Sequence, residues 1–406
     1  MKVRVSFEEA RKTELANTNI LGVEKLPSLE CLNRIIAENI ISDIIMPPWD
    51  NSAVDGYGII GDYKEGDRKK IIKTIPAGEV DSIEISSDEV VKIMTGAPVT
   101  KGIDRVIMVE DTEVEDEFVI LKKSLPKWRN IRKKGEDIKN GEVILQKGDL
   151  LRAQEIGVIA SIGRNSIFVI RKPVVGFLAT GNEIVDVDEH REIGQIRTSN
   201  SYTVLSQIKE TGAEGINLGI AKDNKESLKE KLKDYNKFDV IVSSGGVSMG
   251  DYDLVKDVIE EIGFEILFWK VKERPGLPLV FAKKDNTLFF GLPGNPVSST
   301  VMFEQHVRPV LLKMMGHKKI FRTQITAKIS DDLSLKPGLR HFPRVIITEK
   351  NGELIAELTG NQGSGILTSL VKADGILVYP ENTQYKKGDF VNVEILNDRF
   401  FYRSEQ

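Results

Sequence analysis

Between residues 173 and 316, short apolar runs alternate with helix-patterned stretches, and no other feature narrows the possible folds of this chain so far. Strand-like runs at 174–179, 215–220, 238–243 and 264–271 are separated by helical patterns at 202–210, 225–235 and 253–261. Such alternation predicts a doubly wound α/β domain with a mostly parallel sheet. Ligands of these sheets bind beyond the carboxyl ends of the strands. Segments that fall there are the first place to look for function.

Two strings fall there. Thr180-Gly181-Asn182-Glu183 closes the first strand, and Glu183 is an acid that helix capping does not explain. Ser243-Ser244-Gly245-Gly246-Val247-Ser248-Met249-Gly250-Asp251-Tyr252-Asp253 follows the run at 238–242. Its glycines let backbone approach a ligand, and amides at the next helix start attract oxyanions. It is neither a Walker A loop nor a dinucleotide fingerprint, and a βα turn without function explains the glycines equally well. A third string, Gly291-Leu292-Pro293-Gly294-Asn295-Pro296-Val297-Ser298-Ser299, joins a strand at 287–290 to a helix at 297–315. Asn295 suits the N-cap and Pro296 the first turn. A fourth, Pro47-Pro48-Trp49-Asp50-Asn51-Ser52-Ala53-Val54-Asp55-Gly56-Tyr57-Gly58, packs turn residues, two carboxylates and aromatic rings more specifically than a surface turn needs.

At 406 residues the chain exceeds one core, so roughly two to four domains are expected. The net charge of -4 offers no nucleic-acid footprint. Cys31 is the single cysteine; it excludes an intrachain disulfide, fits a reducing compartment and reads as a buried thiol. Residues 1–10 lack a signal-peptide core, and no run approaches the ~20 apolar residues a membrane span needs. A cytoplasmic protein that avoids membranes is the expectation.

Residues 28–39 read as a helix capped by Ser28, with Leu29, Leu32, Ile35 and Ile36 on one face. Short β-branched runs fill 48–138, a helical piece returns at 154–161, and 323–397 reads as a β barrel or sandwich. Asp223 precedes a helix, where capping and ligand binding are equal readings. His341 has no His or Cys partner at zinc spacing and reads as structural.

These strings, with Met94-Thr95-Gly96-Ala97-Pro98 and Gly363-Ser364-Gly365 falling in order, resemble the molybdopterin molybdotransferases. That family inserts molybdate into adenylated molybdopterin and includes the C-terminal domain of gephyrin. The resemblance runs from the N-terminal region to the end and implies a multidomain α/β plus β protein. It would have a MogA-like α/β domain at 172–318, a β insertion domain at 47–138, a discontinuous elongated domain at 1–46 and 139–171, and a C-terminal β barrel at 319–406. Molybdenum cofactor biosynthesis with release of AMP is the implied activity. Mg2+ or another divalent cation is the implied cofactor, and molybdate or tungstate the oxyanion. The implied partners are adenylated molybdopterin, the molybdopterin adenylyltransferase and a second copy of the chain, whose α/β domain the C-terminal domain would reach.

Carried onto this sequence, the resemblance assigns catalysis to Asp55, Thr95, Glu183, Asp223 and Asp253, with Glu183 and Asp253 on the metal. Ser248, Asp251, Lys270, Arg274, Pro293, Pro296, Ser298, Arg344 and Ser364 would bind substrate or oxyanion. One departure stands out: where the family reads Lys-Pro-Gly-Lys-Pro, this chain has Arg274-Pro275-Gly276-Leu277-Pro278. Either Lys272 or a basic residue of another domain would then substitute for the second lysine, or the oxyanion preference would differ. Two other readings remain, a gephyrin-type scaffold and a paralogue that binds pterin or oxyanion without turnover. The acids Asp55, Glu183 and Asp253 favour the enzyme.

Overall fold

The computed structural model describes residues 1–79, 83–246 and 254–397. They form two compact units, one from Met1–Lys25, Asn33–Ala37 and Phe168–Gln406, the other from Leu26–Leu32 and Glu38–Ile167.

The first unit centres on a seven-stranded sheet in the order Lys2–Val5, Glu265–Val271, Val280–Lys284, Thr287–Leu292, Val240–Ser244, Val174–Thr180, Glu214–Ala221. The last four strands run parallel to one another, and Val280–Lys284 is antiparallel to both neighbours. Val240–Ser244 is buried throughout, as a central strand covered on both faces must be. Its period of two divides the cores: Val240 and Val242 join Phe177, Phe281 and Phe290 on one side, while Ile241 joins Leu178, Val258 and Phe289 on the other. The helices Ser199–Glu210, Lys225–Leu232, Leu254–Glu261 and Pro296–Met302 alternate with the strands as expected. The last runs through a π turn at Phe303–Val307 into Arg308–Met314, and the π turn turns Gln305 and His306 fully into the interior.

The first residues depart from the expected elongated domain at 1–46. Lys2–Val5 pairs in parallel with Glu265–Val271, aligning Val5 with Val271. Val5, Phe7 and Ala10 then drop into the sheet's core, and this burial holds the segment there. Helix Phe7–Ala16 starts with Ser6 as its cap, the hydroxyl accepting from the Glu9 amide at 3.1 Å.

The barrel expected near the C-terminus is closed, in the order Gln324–Ile329, Glu353–Leu358, Arg344–Lys350, Gly375–Leu377, Phe390–Ile395. It merges with the α/β layer instead of standing apart. Phe342 and Ile376 share the core of Phe281 and Phe290, and the short strand Glu273–Arg274 pairs with Arg340–His341.

In the second unit, a six-stranded sheet runs Arg105–Met108, Gly56–Ile59, Glu89–Ile93, Arg68–Ile75, Phe118–Leu121, Thr112–Glu115. Helix Ala153–Ser161 also belongs here. The helix expected at 28–39 is absent. Only one 3-10 turn, Ser28–Cys31, forms; Asn33 then takes φ 62°, Ile36 bridges Val169 as extended chain, and Ile40–Ile41 is a strand. β-Branched residues prefer that extended state. Leu29 and Leu32, placed on the supposed apolar face, are exposed, whereas Cys31, Ile35 and Ile36 are buried.

Candidate active site

At the carboxyl ends of the parallel strands, three loops converge. The amide of Gly245 donates to the Leu292 carbonyl at 3.1 Å, and the Ser244 hydroxyl donates to the Pro293 carbonyl at 3.2 Å. Asn200, in the first turn of Ser199–Glu210, donates from Nδ2 to Ser244 Oγ at 2.7 Å and to the Gly294 carbonyl at 2.8 Å. Gly245 adopts φ 97°, and a Cβ there would stand 2.5 Å from the Thr180 carbonyl oxygen. Gly245→Ala is therefore expected to cost roughly 1–3 kcal/mol, read as a lowered urea midpoint. A midpoint equal to the parent's would mean that the loop relaxes freely.

A cleft of about 870 Å³ opens over these loops. Glu183 and Asp223 line it with Arg197, Asn200, Pro293, Asn295 and Pro296. Glu183 folds back over Gly181, where an added Cβ would lie 2.8 Å from its Oε2. Asp223 is held by a reciprocal exchange with Asn182: its Oδ2 accepts from the Asn182 amide at 3.2 Å, and its own amide donates to Asn182 Oδ1 at 3.1 Å. The two readings of Asp223 separate here, because Asn224 is the helix cap, accepting from the Ser227 amide at 2.8 Å. Asn295 stands at the N-cap position of Pro296–Met302 but makes no side-chain capping bond; it lines the cleft instead.

A second cleft of about 720 Å³ adjoins the first, with Pro278, Pro293 and Asn295 lining both. Arg274, Leu277, Ser298, Lys336, Arg344 and Ser364 line it. Arg344 is 1% exposed. Its Nε donates to Ser369 Oγ at 3.1 Å, and Nη2 reaches the carbonyls of Gly363 at 3.3 Å and Asn361 at 3.5 Å. Among the described residues it forms no ion pair, and burial pulls its guanidinium down to about 10, still protonated at neutral pH. A buried cation without a counterion is costly, so a site of this kind favours an anion from outside the fold. Ser364 reaches the cleft within its own chain, its carbonyl accepting from the Val297 amide at 3.1 Å. The shared apolar core fastens the C-terminal domain to the α/β domain of its own chain.

Lys270 lines neither cleft. Its φ is 69° and its ammonium stacks 3.8 Å above the Trp269 ring. Ser248, Asp251 and Asp253 lie outside the described residues. In the second unit, Asp55 and Thr95 meet directly: the Thr95 amide donates to Asp55 Oδ1 at 2.7 Å and its hydroxyl donates to the same oxygen at 2.8 Å. These two bonds, the amide first, hold the Asp55 carboxyl below its ordinary range. Sequence reasoning missed Asn200, Arg197, Asn295 as a lining residue, and Lys336. Only the Thr198-Ser199-Asn200 helix start carried a signal, and it reads first as capping.

The first cleft carries two carboxylates, Glu183 and Asp223, the hard-oxygen type of donor that Mg2+ takes. This cation usually takes one or two carboxylates and leaves its other positions to water and substrate phosphate. Among the described residues, no cluster of three or more His, Cys, Asp or Glu forms a complete cage. Glu183 and Asp223 offer the carboxylates at the wall of an open cleft.

Three family models match this chain: the "MoeA N-terminal region (domain I and II)" over residues 5–163, the "Probable molybdopterin binding domain" over 176–313, and the "MoeA C-terminal region (domain IV)" over 326–396. A Haemophilus influenzae protein named molybdopterin molybdenumtransferase is 36% identical over 380 residues, covering 92% of this chain and 94% of that protein. A Bacillus subtilis protein of the same name is 34% identical over 384 residues, covering 91% and 89%. Two solved structures of the molybdopterin biosynthesis MoeA protein from Pyrococcus horikoshii share 32% and 29% identity with it. Each superposes with a TM-score of 0.81, covering 97% of this chain and 100% of the solved one.

Proposed function

The chain belongs to the MoeA family of molybdopterin molybdenumtransferases, and from that premise we propose that its two adjoining clefts hold adenylated molybdopterin and an oxyanion for molybdenum insertion with release of AMP. The chain is a transferase of molybdenum cofactor biosynthesis. One observation carries the finer reading: acids line one cleft, and a buried guanidinium that forms no ion pair among the described residues lines the next, with Pro293 and Asn295 lining both. The gephyrin-type scaffold is not favoured.

In this reading Glu183 and Asp223, which line the cleft, would hold Mg2+ together with Asp253, with Asn182 fixing Asp223 in place. The bound cation would neutralise phosphate charge. Arg344 and Arg274 hold the oxyanion by paired N–H donors, with Ser298 and Ser364 beside them, so that it stands close to the dithiolene sulfurs. The residues work by positioning, without a covalent nucleophile. Tungstate fits the same donors as molybdate. A homodimer in the cytoplasm completes the proposal, with the molybdopterin adenylyltransferase as the enzyme that hands over the substrate. No helix of the described residues is long and apolar enough to cross a membrane.

The test is to incubate purified protein with adenylated molybdopterin, molybdate and increasing Mg2+, following AMP. Glu183→Ala is expected to raise the half-maximal Mg2+ concentration about tenfold, since one of few hard oxygens is lost. AMP release indifferent to chelator, or an unchanged Mg2+ titration in the variant, sinks the metal assignment.

A further inference from the structure

The second cleft holds a third cation that the reading above does not use. Lys336 lines it from the loop before the strand Arg340–His341. The loop's backbone is pinned at three points. The Leu335 amide donates to the Tyr379 hydroxyl at 3.2 Å, the Lys336 carbonyl bonds with His341 Nε2 at 2.8 Å, and the Gly338 amide donates to Asn382 Oδ1 at 3.0 Å. The side chain is exposed, and among the described residues its ammonium forms no ion pair. Other lysines in the structure do find carboxylates: Lys328 pairs with Glu353 at 2.6 Å and Lys386 with Asp332 at 2.8 Å.

The cleft's charge is correspondingly one-sided. Arg274, Lys336 and Arg344 line it against one carboxylate, Glu273, and that carboxylate is fully buried with Oε1 bonded to His306 Nε2 at 2.8 Å. Leu277, which lines the same cleft, brings no charge where the family resemblance leads one to expect lysine. Two planar guanidiniums can match oxygen pairs of a tetrahedral dianion. A compact ammonium on a flexible stem adds a point charge that adapts to a remaining oxygen.

We propose that Lys336 is an oxyanion-binding residue of this cleft, supplying from the C-terminal β domain the cation that Leu277 does not. The proposal rests on reading the cleft as the oxyanion site. Lys336 therefore sets the affinity for molybdate and tungstate and leaves that for the adenylated pterin alone. Its contribution is ionic and weakens with added salt, because an exposed ammonium is screened.

Isothermal titration with molybdate alone, and the half-saturating molybdate concentration in AMP release, test this on the full chain. Lys336→Ala is expected to weaken both about tenfold, the scale of losing one point charge in a partly solvated site. The half-saturating concentration of adenylated molybdopterin should stay within about twofold of the parent's, the charge of Lys336 being local. Adding Leu277→Lys to Lys336→Ala should recover most of the loss. Arg344→Gln separates the proposal from its premise. If Arg344→Gln weakens molybdate binding and Lys336→Ala does not, the cleft is the oxyanion site and the role of Lys336 is refuted. If neither variant changes molybdate binding, the cleft itself has been misread and the proposal falls with it. An equal loss of pterin and molybdate affinity in Lys336→Ala also overturns it, since the lysine would then serve the phosphates.

Discussion

Exchanging Asp55 for asparagine is expected to lower AMP release on the order of 10²–10⁴-fold, the range for losing a positioned acid–base group. The fold should stay intact. Thr95 donates twice to Asp55 Oδ1, and an asparagine carbonyl accepts both bonds in the same turn. Only the negative charge is removed. Single-turnover AMP release beside a urea melt separates the two effects, and a variant that turns over at the parent's rate reduces Asp55 to a turn residue. Mixing these chains with chains carrying Arg344→Ala and Ser364→Ala extends the experiment to the proposed homodimer. Partial recovery is the result if one reaction draws on both chains; no recovery, with mixed dimers present, means that each chain works alone.

His306 governs the largest expected change in stability. It is fully buried, with Nδ1 2.8 Å from Glu14 Oε1 and Nε2 2.8 Å from Glu273 Oε1, and both carboxylates are buried too. Phe7 packs edge-on against its ring. Burial opposes the ionised forms of both His306 and Glu273. The charges of Glu14 and Glu273, and then their hydrogen bonds, outweigh it for the imidazole and raise it to about 10. His306→Ala would strand two buried carboxylates, and breaking such a group costs roughly 3–5 kcal/mol.

The pH dependence follows from the sign. The folded value lies above the ordinary 6.5, so the stabilisation is fully present below that pH and is lost as pH rises through about 10. Urea midpoints of parent and variant should differ most below about pH 6.5 and converge as pH rises towards 10. A gap that stays constant over this range would mean that the imidazole is neutral in the fold. The same network braces the second cleft, because Glu273 immediately precedes Arg274 in the short strand that pairs with Arg340–His341.

The α/β alternation, the helix start at Pro296, and the convergence of Thr180–Glu183 with the Gly245 loop were legible because period and turn chemistry act over a few residues. The Asp55 string was legible for the same reason. The stretch at 28–39 misled because its apolar spacing suits a helix, while burial of Ile35 and Ile36 as extended chain overrode that local preference.

The sequence by itself therefore determined the doubly wound sheet, the run of short strands at the C-terminus, and several of the residues that line the two clefts. Tertiary structure alone decided the rest. It drew Lys2–Val5 into the sheet and turned Lys270 onto Trp269. It fastened the barrel to the α/β layer through Phe342, buried Arg344 without an ion pair among the described residues, and brought Lys336 into the cleft that Leu277 lines. Burial and charge compensation depend on residues far apart in the chain, Glu14 with His306 or Phe7 with Phe342, and no local pattern encodes which of them will meet.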